Sequence, residues 1–331
     1  MTLGRSRVMV TTVPFGAVDR APIDLLAAAG VDLVLNPKNR RLRADEVGDV
    51  ISGFPVIIAG TETITAEAME TCAGLKAICR VGIGLDGIDL SAARRLGIAI
   101  SYTPDAPSPA VAELAVGFII DLLRGIGPAD RGLRRGEWTR ISGARIATST
   151  IGVVGVGRIG SRVVRHLQGG FPGVRILAHD LVRDPTISGV EWVDKEQLYR
   201  QSDVVTLHVP LTATTRNLVG ERELAMMKPS AVVVNTARGG IVDESALVRA
   251  LQRGAIRAAA LDVYADEPYS GALAQLSNVL LTCHMGSMTA DCRARMEIEA
   301  TQDAIRVLRG EPLRSPAPDG EYEIADLLAR N

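Results

Sequence analysis

Short apolar runs recur along the chain at nearly regular spacing. In the second half they are Thr150–Val154, Arg175–His179, Asp203–Val209, Ala231–Asn235, Ala258–Val263 and Asn278–Thr282. Their starts lie roughly 20–28 residues apart, the length of one strand-plus-helix unit. The runs are almost continuously apolar rather than alternating, as strands buried on both faces should be. Helical patterns fill the gaps. Arg158–Gln168 puts Ile159, Val163, Val164 and Leu167 on one face. Asp243–Arg253 opens on an acidic cap and turns Leu247, Val248 and Leu251 inward. This alternation predicts a parallel, doubly wound α/β sheet.

The first hundred residues repeat the rhythm more weakly. Strands are expected at Arg7–Val10, Val31–Leu35, Val56–Ala59, Leu75–Cys79 and Ile98–Ser101, with helices such as Pro22–Ala29 and Thr65–Thr71 between them. They read as a second, smaller α/β sheet. The proline-rich stretch Tyr102–Pro109 separates the two sheets. Ser108 fits a helix cap and Pro109 the first helical position, ahead of a long apolar helix over Val111–Leu123. The tail Glu311–Asn331 carries three prolines and leaves room for a short helix over Ile324–Leu328.

Two domains suit a chain of 331 residues. Balanced charge, 37 Lys plus Arg against 38 Asp plus Glu, argues against a protein whose main work is gripping a polyanion. The 3% aromatic content is too low for rows of base-stacking rings. No apolar run reaches the roughly 18 residues of a membrane span, and Met1–Gly16 does not read as a signal peptide. The four cysteines, Cys72, Cys79, Cys283 and Cys292, form no metal-ligand pattern. The expectation is a cytoplasmic chain with reduced thiols and no metal.

Gly155-Val-Gly157-Arg-Ile-Gly160 follows one expected strand and opens a helix, the context a dinucleotide-binding turn needs. Gly155 permits the tight turn, Gly157 lets the backbone approach a pyrophosphate, and Gly160 allows close helix–strand packing. The helix N-terminus then faces the anion. Asp180 ends the next strand 20 residues after Gly160, where a carboxylate accepts from an adenosine ribose. It would repel a 2′-phosphate, so NAD is expected over NADP, although Arg183 lies nearby.

At this point the sequence resembles the D-isomer-specific 2-hydroxyacid dehydrogenase family, most closely its phosphoglycerate dehydrogenase-like members. The resemblance is carried, in family order, by RVGIGLDGIDL (Arg80–Leu90), VAEL (Val111–Leu114), GEW (Gly136–Trp138), IGVVGVGRIG (Ile151–Gly160), HVPLT (His208–Thr212), NTARGGIVDE (Asn235–Glu244), ALDVYADEP (Ala260–Pro268) and TCHMGS (Thr282–Ser287). It implies an NAD-binding Rossmann domain, residues 104–287, inserted into a smaller flavodoxin-like substrate domain, residues 1–103 and 288–331, with the active site in the cleft. It also implies a homodimer joined through the nucleotide domains, a small-molecule 2-hydroxy or 2-oxo acid as substrate, and no nucleic-acid or membrane partner.

Arg238, Glu267 and His284 match the family's catalytic set. The chemistry asks for these residue types. A guanidinium fork can hold the carboxylate of a 2-oxo acid and polarise its ketone. Hydride arriving at the carbonyl carbon leaves charge on oxygen, and an acid must protonate it. Imidazole exchanges protons near neutral pH, and Glu267 would orient the ring of His284 and favour its charged form. Further positions carry over. Gly82, Ile83 and Gly84 match a loop whose amides meet the substrate carboxylate, alongside Arg238 and His284. Arg158, Ile159, His208, Val209, Pro210, Thr236, Ala237, Asp262 and Gly286 join Gly155, Gly157, Gly160 and Asp180 as matched cofactor positions.

The sequence also departs from the family pattern. Ala59 stands where phosphoglycerate dehydrogenases commonly carry a phosphate-binding arginine, and Glu62 nearby would repel a phosphate, so 3-phosphoglycerate is weakened as a substrate. Cys283 replaces the usual proline before the histidine, and Gly87 replaces an asparagine. NAD-sensing corepressors and phosphite-oxidising relatives share the same trio and stand as alternatives.

Overall fold

The computed structural model describes residues 6–329. The chain runs β1 (Ser6–Val10), α1 (Ala21–Ala28), β2 (Val31–Leu35), α2 (Ala44–Ile51), β3 (Val56–Ala59), α3 (Ala66–Glu70), β4 (Ala77–Arg80), α4 (Leu90–Leu96) and β5 (Ala99–Ser101). It continues as α5 (Ser108–Arg124), α6 (Ile126–Arg134), β6 (Thr150–Val154), α7 (Gly160–Gly170), β7 (Arg175–His179), β8 (Glu191–Trp192), α8 (Lys195–Gln201) and β9 (Val204–Leu207). Then come α9 (Glu221–Met226), β10 (Val232–Asn235), α10 (Glu244–Gln252), β11 (Ala258–Leu261), β12 (Val279–Leu281), α11 (Ala290–Leu308) and α12 (Asp319–Ala329).

The chain forms two compact units, one up to Pro107 and again from Ser287, the other Ser108–Gly286. These crossings fall four residues and one residue from the expected 103/104 and 287/288. The first crossing is later because helical backbone begins at Ser108 itself. Ser108 is therefore the first residue of α5 rather than a cap outside it, and its buried hydroxyl has no hydrogen-bond partner.

In the first unit five parallel strands lie in the order β2-β1-β3-β4-β5, the flavodoxin-like arrangement. Its core gathers Ile57, Ile78 and Ile100 from the strands with Val47, Ile51 and Met69 from the helices, all essentially solvent-free. The tail is longer and more ordered than its composition suggests. The amide of Ala317 donates to the Ile100 carbonyl (2.8 Å), that of Tyr102 to the Ser315 carbonyl (3.2 Å), and Pro316 pairs antiparallel with Ser101. The tail thus lies along the edge strand β5 before α12 begins, five residues ahead of the expected Ile324. Backbone pairing at an unprotected sheet edge supplies an order that hydrophobic patterning does not reveal.

In the second unit seven parallel strands lie in the order β12-β11-β10-β9-β6-β7-β8. Both faces are covered. Leu177, Val205, Leu207 and Val233 pack with Ile241 and Leu247 on one side. Val153, Val204 and Val232 meet Phe118, Ile119, Val163 and Leu167 of α5 and α7 on the other. This two-sided burial is why the strand runs are continuously apolar. The strand order reverses between β9 and β6, the position where open parallel sheets take ligands beyond their carboxyl ends.

Candidate active site

The glycine turn sits at that reversal. Gly155 has φ 86°, a left-handed conformation that side chains other than glycine rarely adopt. A Cβ on Gly160 would collide with the Gly155 carbonyl, so α7 can approach the strand end this closely only as glycine. Gly157 differs, because a Cβ there meets no protein atom within 4 Å. Nothing in the protein's own packing demands that glycine, while a pyrophosphate brought against the turn would. Arg158 beside it is exposed and Ile159 half-buried. Asp180 follows β7 directly, and its Oδ2 accepts the Val156 amide at 2.6 Å. The carboxylate is therefore anchored to the turn itself.

Two more matched segments end at the same rim. His208, Val209 and Pro210 follow β9, while Thr236 and Ala237 follow β10. The His208 Nε2 pairs with Thr206 Oγ1 at 2.9 Å, whereas its buried Nδ1 has no partner. The enclosed ring resists charging, and desolvation pushes its pKa down to about 3. Thr236 Oγ1 is likewise buried and unpartnered. Orphaned buried polar atoms are rare in finished protein interiors. Two of them beside an open glycine turn and an anchored carboxylate fit a bound dinucleotide.

The three candidate catalytic residues stand just beyond successive strands. Arg238 follows β10, Glu267 follows β11 and His284 follows β12. His284 Nδ1 lies 2.9 Å from Glu267 Oε2 and 3.2 Å from Oε1. The carboxylate thus faces one ring nitrogen and leaves Nε2 for chemistry. Glu267 is held in turn by the Tyr264 amide (3.1 Å). Arg238 is half-buried, and its Nη1 donates to the Ala237 carbonyl at 2.6 Å. The Asn235 side chain braces that turn, donating to the Arg238 carbonyl (2.9 Å) and accepting the Ala237 amide (3.0 Å). A Cβ on Gly239 would run into the Tyr264 carbonyl, so the arginine turn and the Glu267 loop pack backbone to backbone.

His284 carries φ 52°, an uncommon conformation for a residue with a side chain. Asp262 holds it there. The Asp262 carbonyl accepts the His284 amide (2.7 Å). Its Oδ1 accepts the Met285 amide (2.8 Å) and the Thr282 hydroxyl (2.5 Å), and its Oδ2 accepts the Gly286 amide (2.8 Å). Asp262 is only 1% exposed, so its carboxylate organises the histidine turn from within. Tyr264 adds a second brace, its hydroxyl donating to the Thr282 carbonyl (2.7 Å). Thr282, Tyr264 and Gly239 lie within the quoted motifs, but no role is read for them there.

Gly82, Ile83 and Gly84 belong to the first unit, just after β4. The Gly82 amide donates to Thr103 Oγ1 (2.9 Å), and its carbonyl accepts the Thr103 amide (3.0 Å). Among the described residues no group of His, Cys, Asp and Glu is suited to a metal ion, and no helix is long and apolar enough to cross a membrane.

Comparison with known proteins shows which family the chain resembles. Residues 116–286 match the profile described as D-isomer specific 2-hydroxyacid dehydrogenase, NAD binding domain. The chain is 41% identical over 278 residues to a D-3-phosphoglycerate dehydrogenase of Methanocaldococcus jannaschii, an alignment covering 82% of this chain and 53% of that protein. It is 37% identical over 281 residues to a hydroxypyruvate reductase of Thermotoga maritima, covering 83% of this chain and 91% of the relative. Its fold overlays a D-lactate dehydrogenase of Aquifex aeolicus, solved with NAD and lactic acid, with a TM-score of 0.81 at 25% identity. That overlay covers 92% of this chain and 96% of the other. The chain spans about half the length of the phosphoglycerate dehydrogenases it matches.

Proposed function

This chain belongs to the D-isomer specific 2-hydroxyacid dehydrogenase family, its residues 116–286 being the NAD-binding domain, and we propose that it interconverts a D-2-hydroxy acid and its 2-oxo acid. The observation that carries the reading is the contact of His284 Nδ1 with Glu267 Oε2 at 2.9 Å, on a rim that also presents Arg238. Bound NADH supplies a hydride to the substrate's carbonyl carbon. The residues of this chain do the rest. Arg238 holds the substrate carboxylate with its guanidinium and draws charge toward the ketone oxygen. His284 donates a proton from Nε2 to that oxygen as negative charge develops. Glu267 keeps the ring oriented and stabilises the imidazolium before transfer. In the oxidative direction His284 takes the hydroxyl proton instead.

The other matched positions take their places in the same reading. Gly155, Gly157 and Gly160 with the start of α7 would cradle a pyrophosphate. Asp180 would receive the adenosine ribose hydroxyls. His208 Nδ1 and Thr236 Oγ1 would be the polar atoms left to a dinucleotide, with Arg158, Ile159, Val209, Pro210, Ala237, Asp262 and Gly286 the further residues that would hold it. Of the matched loop Gly82, Ile83 and Gly84, the Gly82 amide is already bonded to Thr103 Oγ1, which leaves the amides of Ile83 and Gly84 for a carboxylate. Ile126, Leu133, Trp138 and Ile141, all exposed on α6 and the segment after it, form the face through which two copies join as a homodimer.

A panel of 2-oxo acids with NADH and NADPH tests the reading. Turnover is expected with NADH preferred, and His284→Ala or Arg238→Ala should each lower kcat/KM by about 100- to 10,000-fold. No turnover of any 2-oxo acid at high enzyme concentration would sink the reading. A preference for NADPH would remove the role given to Asp180.

A further inference from the structure

Tyr264 stands where the turns carrying Arg238, Glu267 and His284 meet, and the dehydrogenase reading gives it no task. It follows β11 closely and is 7% exposed. Each part of it is turned to a different segment. Its amide donates to Glu267 Oε1 (3.1 Å). Its carbonyl fills the place a Cβ on Gly239 would take, so the arginine turn rests directly on it. Its hydroxyl sits between two strand ends, 2.7 Å from the Thr282 carbonyl and 3.1 Å from the Leu261 carbonyl. A phenol has one proton to give, and the shorter contact is to Thr282. The Leu261 carbonyl already accepts the Thr282 amide (3.0 Å).

Thr282 leads into the histidine turn. Its hydroxyl is held by Asp262 Oδ1 (2.5 Å) and its carbonyl by Tyr264. Beyond it His284 takes φ 52°, a conformation that persists only where the surroundings over-determine it. From there its ring reaches Glu267 Oε2 at 2.9 Å, while the Tyr264 amide fixes the other carboxylate oxygen. One residue therefore governs both members of the pair. The phenol keeps its proton for this bond, because burial, and after it the charge of Asp262, raises its pKa above the ordinary tyrosine value. The ring stacks on Tyr269 with centroids 4.3 Å apart, which keeps the hydroxyl from swinging away. The Tyr269 hydroxyl accepts the Leu273 amide (3.1 Å), a bond that involves none of the three turns.

We propose that Tyr264 is a positioning residue for proton transfer: through the Thr282 carbonyl, its hydroxyl holds the His284 turn so that the imidazole stays on Glu267. The proposal rests on the dehydrogenase reading above and adds to it a residue that acts through the histidine. The test compares Tyr264→Phe with Tyr269→Phe in the full chain, using NADH with hydroxypyruvate, or with glyoxylate if that is reduced faster. Each variant loses one hydroxyl from the same ring stack, so a general loosening of the stack moves both alike. Tyr264→Phe is expected to lower kcat about tenfold while both KM values stay within about twofold of the wild type. Tyr269→Phe is expected to keep the wild-type kcat. In nitrogen-15 NMR spectra the His284 Nδ1 proton should be visible in the wild type and exchange with water at least about tenfold faster in Tyr264→Phe. Equal loss of kcat in the two variants would overturn the proposal, as would wild-type kcat and wild-type exchange in Tyr264→Phe. In an active enzyme either change without the other would overturn it as well. Absence of the Nδ1 proton from the wild-type spectrum would overturn it even if the variant failed to fold. A wild type that reduces no 2-oxo acid would defeat the dehydrogenase reading alone; proton exchange would then decide the brace, and an unchanged rate would overturn it.

Discussion

His284 and His208 show how one residue type takes opposite duties through its surroundings. His284 is part-exposed, with the Glu267 carboxylate 2.9 Å from Nδ1. His208 is enclosed with only a hydroxyl partner, and burial holds it neutral, its pKa lowered to about 3. The linkage sign follows. The unfolded chain takes up this proton near pH 6.5 and the folded one near 3. The His208 contribution to stability is therefore complete above about 6.5 and falls away as the pH drops toward 3. An NMR titration should find the His208 ring still neutral at pH 5; a midpoint above that would contradict its enclosure. Both histidines stood out from their motifs, yet the protonation of His208 depends on what encloses its ring, and no local pattern encodes that.

Among the structural elements, the turns after β6 and β10 separate glycines that serve the fold from one that serves a ligand. Gly239 lies against the Tyr264 carbonyl, while Gly157 faces open space. Gly239→Ala should cost about 3 kcal/mol in unfolding free energy as two backbones are forced apart. Gly157→Ala should leave stability within about 0.5 kcal/mol yet weaken NADH binding at least tenfold. Denaturant unfolding and a binding titration on both variants check this, and a reversed pattern would remove the distinction. Strands β2, β3, β6 and β7 lie where apolar runs placed them, because burial on both faces writes itself into composition. The two-residue β8 and the short helices α8 and α9 were not legible. Their order comes from packing at the sheet edge and from caps such as Asp194, whose carboxylate accepts the Gln197 amide (2.8 Å).

For the whole molecule, the exposed apolar residues gather unevenly. Trp138 is 84% exposed and Leu133 57%, more than an isolated surface needs. Light scattering should return twice the 35.1 kDa chain mass at micromolar concentration, and Leu133→Asp should return the single mass. A wild-type monomer would remove the proposed interface. Binding of NADH should raise stability by about 2.7 kcal/mol at a ligand concentration 100 times Kd.

Most of the strand and helix order and the dinucleotide turn were legible in the chain, because strand burial and turn chemistry leave local signatures, whereas Arg238, Glu267 and His284 were singled out by the family resemblance. Long-range pairing left none. The clamp of Asp262 on the His284 turn spans 22 residues, and the lock of Arg293 on Thr12 spans 281. Such contacts arise only when parallel strands bring distant loops to one rim.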